Sequence, residues 1–221
     1  MKMQFELNLM SRHRPKARTT KFAMLALAFT LAAFTLPTTT WAGDNSSLKG
    51  PSAAAFFSAE DGCIITTVFV FVSDQVSHTP PGPPNPSSEA SIQIEKFNTC
   101  AGMSLLFGFG STTLSEDDFQ VAVRLTSATL NTTISFFDDV SGTSFPVSVN
   151  LTWTGTGDLA RQVSHFHLRF GSVIINSRFN GTGRNAEVAG SVSDGITNFT
   201  PNPGVVGVIQ DVKSGEVFVN K

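Results

Sequence analysis

Residues 145–153 read FPVSVNLTW, and apolar and polar side chains alternate along the whole stretch. Successive side chains of a β-strand point to opposite faces, so a period of two predicts a strand that is buried on one face. Such strands are typical of antiparallel sheets with a core on one side. The apolar face of this predicted strand consists of Phe145, Val147, Val149, Leu151 and Trp153.

The same alternation recurs along the chain, at 119–125 and more loosely at 130–136. The stretch 63–72 (CIITTVFVFV) is apolar on both faces over its second half, which is typical of a strand buried between layers. Turn signals recur every 10–20 residues, and no useful length shows a helical period. We therefore expect one all-β antiparallel domain of about ten strands, a β-sandwich or an up-and-down barrel. The expected strands lie at about 53–59, 63–73, 89–97, 102–110, 118–126, 128–137, 144–154, 160–170, 172–180, 185–193, 204–212 and 215–219.

The first 42 residues have the features of a secretory signal peptide. Met1–Lys21 carries six basic residues and one acid, and the apolar run 22–37 follows directly. Thr40-Trp41-Ala42 then places small residues at the two positions that signal peptidase reads. We expect cleavage after Ala42, a polar segment at 43–52 and a folded domain at 53–221. An uncleaved membrane anchor is the alternative, although the run is shorter than the roughly 20 residues of a spanning helix.

Removal of the signal changes the charge of the chain. Residues 1–42 hold six of the 15 Lys and Arg residues and one of the 17 Asp and Glu residues, so residues 43–221 have a net charge of −7. The sequence after residue 42 shows no run of Lys or Arg. A protein that binds phosphate backbones needs a basic patch, so we expect no nucleic-acid partner.

The two cysteines, Cys63 and Cys100, predict a disulfide bond. An even pair in an exported domain is most simply oxidised. Free thiols or a thiolate metal site are the alternatives, but the pair lacks the C-x-x-C spacing of such sites. The segment 74–88 (DQVSHTPPGPPNPSS) lies between the cysteines and contains five prolines. Proline is excluded from sheet interiors, so this segment is predicted to be a loop.

The best candidate for a chemical site is His165-Phe166-His167. In a strand at 160–170, alternation places Phe166, Leu168 and Phe170 towards the core and the two histidines on the opposite face. Two imidazoles on one face can bind zinc or a similar divalent ion if a third ligand approaches. Glu187, His78 and Asp158 are the candidates for that ligand. Arg169, on the same face as the histidines, opposes a cation.

Other chemical signals are weak. The sequence has no G-x-S-x-G motif. The acids at 116–118 and 138–139 lie in turn-like segments, where carboxylates usually cap nearby N–H groups. The chain has 20 Phe, two Trp and no Tyr. Phe mainly buries area, so most rings, together with Trp153, are expected in the core.

The sequence is compatible with three functions. The first is a secreted or periplasmic module that binds an extracellular or periplasmic ligand without catalysis, with no stable membrane span after signal cleavage. The second is a metal-dependent hydrolase that uses the face of His165 and His167. The third is an outer-membrane β-barrel, whose strands also alternate. The absence of Tyr and the scarcity of Trp oppose this third possibility, because such barrels carry aromatic girdles.

Overall fold

The structure is a computed structural model, and it describes residues 45–80, 82–170, 173–201 and 205–220. The predicted signal peptide therefore lies outside the described residues. Those residues belong to one compact unit within 37–221. They form ten strands and one short 3₁₀ turn, Val123–Leu125. The strands are β1 (Asn45–Asp61), β2 (Ile64–His78), β3 (Asn85–Asn98), β4 (Met103–Thr113), β5 (Phe119–Val121), β6 (Ser127–Asp138), β7 (Thr143–Phe170), β8 (Val173–Ser193), β9 (Asn198–Phe199) and β10 (Val206–Asn220).

The strands form one antiparallel sheet that closes on itself. Eight of them pair in the order β1, β2, β3, β4, β6, β7, β8, β10, and β10 pairs again with β1. In the closing pair, Ala53 lies opposite Ile209. The short strand β5 pairs with β6 beyond the end of β4, and β9 pairs with β8. The prediction of an all-β antiparallel domain is confirmed, and its form is an up-and-down barrel.

The hydrophobic core fills the inside of the ring. The alternation that was read from 145–153 holds, since Val147, Val149, Leu151 and Trp153 are all fully buried. Cross-strand partners continue the same inward face around the ring; for example, Val70 lies opposite Ile92. The apolar side chains thus lie inside because each strand presents every second residue to the centre.

Trp153 crosses the core from β7 to β1. Its Nε1 donates a hydrogen bond to the carbonyl oxygen of Ala54, at 2.9 Å. The indole lies against Gly207 of β10, where a Cβ atom would come within 2.7 Å of the Trp153 Cδ1 atom. Glycine at 207 therefore provides the space for the indole. The prediction that Trp153 is a packing residue is confirmed.

The sequence predicts turns between 154 and 160 and between 180 and 185, but β7 and β8 run through these positions. Gly155–Asp158 and Asn180–Gly183 do not reverse the chain, and the strands expected on either side are continuous. β7 instead has an irregularity between Thr156 and Ala160, and Gly157 has a φ of 69° there. Glycines in strands often mark bulges or close approaches of neighbouring backbones, which explains the signal without a turn. The predicted strands 204–212 and 215–219 likewise merge into β10, with a bulge between Val212 and Ser214.

The predicted strand at 118–126 was also wrong over most of its length. Only Phe119–Val121 forms a strand, and a 3₁₀ turn follows it. Val123, expected to face the core, is 85% exposed. Arg124 and Leu125 have φ values of 61° and 54°. This left-handed backbone ends the alternation, although the Leu125 side chain is still buried.

The boundaries of the first strands differ from the predictions. Strand β1 includes most of the segment at 43–52 that was expected to precede the domain, because Asn45 already pairs with Phe218. The predicted loop at 74–88 is shorter, since β2 continues to His78 and β3 begins at Asn85. Pro86 lies opposite Val76 in this pair. Proline is tolerated at this position because β3 pairs only with β2 here. On the other side no neighbouring strand requires a hydrogen bond from its backbone N–H.

One end of the barrel is cross-linked and covered. The predicted disulfide between Cys63 and Cys100 is present, with Cα atoms 5.5 Å apart, and it ties the β1–β2 turn to the β3–β4 turn. At the same end the Lys96 ammonium lies 3.6 Å from the carboxylate of Asp194 and 4.8 Å from the ring centroid of Phe199. The loop that carries Asp194 and the buried Phe199 thus closes this end.

The outside of the barrel carries a row of aromatic rings. Along neighbouring strands the register places Phe56, Phe69, Gln93, Phe109 and Phe137 side by side on the outward face. Phe56, Phe109 and Phe137 are 37%, 48% and 47% exposed. The expectation that most Phe rings lie in the core therefore does not hold for these three.

Candidate functional site

At the end of the barrel opposite the disulfide, part of the sheet continues beyond the ring. Pairing between β6 and β7 stops at Ser127 and Thr154, but β7 runs on to Phe170 and stays paired with β8. Strands β10, β1, β2 and β3 also continue in this direction, so a six-stranded open sheet extends from the ring. Its edge is the second half of β7.

The predicted histidines lie on this extension. His165 is opposite Arg178 and His167 is opposite Asn176, and both imidazoles are exposed. The irregularity in β7 adds two residues relative to β8. Because this number is even, the side chains of β7 keep the same inward and outward alternation on both sides of the irregularity. The two histidines therefore lie on the face that continues the inside of the barrel, whereas the sequence placed them opposite the core. The reason is that this inner face passes beyond the apolar core into water.

The three candidates for a third metal ligand do not converge on the histidines. Glu187 pairs with Thr154, out of phase with the inward residues, and so lies on the other face of the sheet. His78 lies four strand spacings from His165, about 19 Å along the sheet. Asp158 lies in the irregular part of β7. No group of three or more His, Cys, Asp or Glu side chains that could hold a metal ion occurs among the described residues. The metal site at His165 and His167 stays a prediction.

Polar contacts orient two of the side chains on this face. The Nδ1 of His167 lies 2.6 Å from the Oδ1 of Asn176, which leaves Nε2 of the ring free of this contact. The Nε of Arg161 donates to the Oδ1 of Asn180 at 3.4 Å. Both contacts run across the β7–β8 pair. The two strands thus hold their polar side chains in a common layer.

Arg184 lies where this face meets the barrel core. It is opposite Ile209, an inward residue, and its side chain is half-buried. A Cβ atom on Gly155 would lie 2.9 Å from Cδ of Arg184 and 2.4 Å from the carbonyl oxygen of Leu125. Glycine at 155 therefore leaves room for the side chain of Arg184. The buried Nε of Arg184 has no hydrogen-bond partner within the described part of the chain.

We define the open-end face as the inward-phase side of β7 and β8 beyond the ring. The sequence alone did not reveal this face, because its arginines come from two strands and are well separated along the chain. The only available signal was the alternation at 161–167, whose phase depends on an irregularity that the sequence showed as a turn. The described members of the face are Arg161, Val163, His165, His167, Asn176, Arg178, Asn180, Thr182 and Arg184.

The acidic pairs noted in the sequence have a structural role. Burial would raise the pKa of Asp138, but the Ser141 hydroxyl and the N–H groups of Val140, Phe107 and Ser141 donate to its carboxylate and hold the pKa below its ordinary value. The hydroxyl and N–H of Ser115 likewise lower the pKa of Asp118. Both carboxylates therefore cap turns, as the sequence indicated.

Asp194 is a third carboxyl group with a lowered pKa. Burial would raise the pKa, but the N–H groups of Thr197 and Ile196 donate to the carboxylate and Lys96 adds a positive charge. The group lies at the closed end, far from the histidines. All three shifted carboxyl groups thus serve the fold of turns and loops.

Comparisons with known proteins add no functional information. No protein-family model matches the chain, and neither the curated proteins nor the solved structures gave a match. Within the described ranges, no helix has the length and apolar character needed to cross a membrane.

Proposed function

We propose that this protein is a non-enzymatic binding module that acts outside the cytoplasm and holds its ligand on the open-end face. The observation that carries the proposal is the extension itself. Two strands of the ring continue well past the last core residues and present polar side chains, among them Arg161, His165 and Arg178, to solvent. Folding such a segment costs backbone entropy that no core contact of these exposed side chains offsets. A ligand-binding role accounts for that cost.

The disulfide supports the location. Such bonds persist in oxidising compartments and are rare in the reducing cytosol. The predicted signal peptide supports the same route of export. Polar exposed residues on the outward face of β6 and β7, such as Asn131, Thr133 and Asn150, favour a surface in contact with water over the outer-membrane alternative.

Export is tested by fractionating cells that express the full chain. We expect the protein in the periplasm or the medium, soluble without detergent, with Gly43 as its first residue and Cys63 joined to Cys100. Recovery with a reduced pair and an intact residue 1 would refute this part of the proposal.

Ligand binding is tested with the exported protein on a sensor surface. Neutral, cationic and anionic soluble polymers are passed over it in turn. We expect at least one polymer to bind, and the Asn180→Ala and Arg178→Gln variants to weaken that binding. The matched control is Asn150→Ala on the outward face of β7, which should leave binding unchanged. Absence of binding by every polymer, or equal loss in the control, would refute a binding role for this face.

A further inference from the structure

The open-end face gathers basic side chains that are scattered in the sequence. Residues 43–221 contain nine Lys and Arg residues. Among those whose side chains the structure describes, three lie on this one face, together with two imidazoles. These basic members are Arg161, His165, His167, Arg178 and Arg184.

Among the described side chains, Arg161, Arg178 and Arg184 have no acidic partner. The described part of the chain contains one ion pair, between Lys96 and Asp194 at the closed end. Asp211 shares the face, opposite Thr182, but it forms no ion pair with Arg161, Arg178 or Arg184. Residues 43–221 have a net charge of −7, and in such a segment arginines without described acidic partners on one face indicate a site for an external anion.

Arg184 gives independent support. Its Nε is buried and has no partner among the described residues, and leaving a buried polar group unpaired is unfavourable. The absence of a side chain at Gly155 makes room for it. A guanidinium held in this way can bind a carboxylate through two parallel hydrogen bonds. A bound anion would supply the missing acceptor.

The spacing of the charges indicates the shape of the anion. Arg178 and Arg184 are six residues apart on one strand, which corresponds to about 20 Å. Arg161, opposite Thr182, lies between them along the strand direction, and His167 lies beyond Arg178. A single small anion cannot contact positions this far apart. A chain with repeated negative charges can contact all of them.

We propose that the open-end face binds an extended anionic polysaccharide whose sugars carry carboxylates. This inference rests on the proposed binding function and names its ligand class. Single-stranded nucleic acid fits the face less well, because its bases bind by stacking on aromatic rings. The described side chains of the face on β7 and β8 include no Phe or Trp.

The test uses polygalacturonate as the probe and the exported, disulfide-bonded protein on a sensor surface. Dextran serves as the neutral polymer and a single-stranded DNA oligonucleotide as the other polyanion. The test variant is Arg161→Gln with Arg178→Gln. The matched control, Asn131→Asp with Ser148→Asp, changes the net charge equally on exposed outward positions of β6 and β7. Circular dichroism checks the fold of both, and the single variant Arg178→Gln replaces the double variant if the latter does not fold.

We expect polygalacturonate to bind, dextran not to bind, and affinity to fall steeply between about 50 and 300 mM NaCl as bound counterions are released. The test variant should weaken binding about tenfold or more, since charge-assisted hydrogen bonds are lost. The control should change it less than about twofold, because exposed charges more than a Debye length away are screened.

Four results would overturn the inference. Equal weakening in the test and control variants would mean that only net charge matters. Tighter binding of the DNA oligonucleotide, lost in the test variant, would assign the face to nucleic acid. Binding of dextran alone, weakened by Asn180→Ala, would leave the proposed function standing and refute the anionic ligand. If no polymer binds, both proposals fail.

Discussion

The indole N–H of Trp153 reaches across the barrel and donates a hydrogen bond to the main-chain oxygen of Ala54, 99 positions away in the chain. The two residues belong to β7 and β1, which are not neighbours in the ring. The bond therefore joins the two sides of the sheet through the core.

The Trp153→Phe variant should destabilise the fold. It removes the Nε1 donor and part of a fully buried ring, and together these changes should lower the free energy of unfolding by about 1–3 kcal/mol. Urea unfolding followed by far-ultraviolet circular dichroism measures the change. Gly207→Ala should also destabilise, because its Cβ would collide with the indole. The double variant should cost less than the two single changes together; strict additivity would show that the two positions do not interact.

Exposure should decide the cost of truncating phenylalanines. Phe136 is fully buried and stacks near Phe145 with ring centroids 5.2 Å apart, so Phe136→Ala should cost about 3–5 kcal/mol. Phe109 is 48% exposed on the outward row, so Phe109→Ala should cost far less, about 1 kcal/mol or below. Urea midpoints of both variants, with matching slopes, test the difference. Similar losses would mean that the outward row is buried in solution.

Asp138 should make stability depend on pH at the acid end. Its pKa is lower in the folded than in the unfolded chain, so its contribution is fully present above about pH 4, the ordinary Asp pKa. It is lost as the pH falls through the lowered folded pKa. We expect Asp138→Asn to lower the free energy of unfolding by about 1–3 kcal/mol near pH 6, since the buried donors lose acceptors. This difference should shrink as the pH drops below about 4.

The matched control for this experiment is Asp139→Asn. Asp139 is the next residue and is exposed. Its substitution should leave the unfolding midpoint unchanged at both pH values. The free energies of unfolding of Asp138→Asn and the parent protein are compared at each pH. A difference that stays constant with pH would contradict the assignment of the acid dependence to Asp138.

Loss of the disulfide should weaken the closed end. The chain-entropy model gives about 4 kcal/mol for a loop of this length. The backbone N–H and hydroxyl of Thr99 still donate to the carbonyl oxygen of Cys63, so the two turns should remain adjacent in the variant. We expect Cys63→Ala with Cys100→Ala to keep the far-ultraviolet spectrum and to unfold at a lower urea concentration. The parent protein in reducing agent should match the variant; unchanged stability in both would contradict a stabilising role.

The sequence predicted the ring better than the extension. Val149 and Leu151 follow the period of two because one face is buried, and burial makes alternation visible in the sequence. Around His165 the alternation predicted the wrong face, because there the inner face of the sheet carries polar residues. Gly157 and Gly181 then read as turns although they lie within strands. The closure of β10 on β1 is a relation between distant segments that no local pattern encodes.

This closure has a consequence for how the chain folds. Every other neighbouring pair in the ring joins strands that follow each other closely along the sequence, and such pairs form from local contacts. Joining Ala53 to Ile209 requires segments 156 positions apart to meet. Contacts of such long sequence separation slow folding, because loop entropy is lost before the contact forms. We therefore expect the pairs between consecutive strands to form early. Pairing of β1 with β10 should then set the rate at which the native state appears.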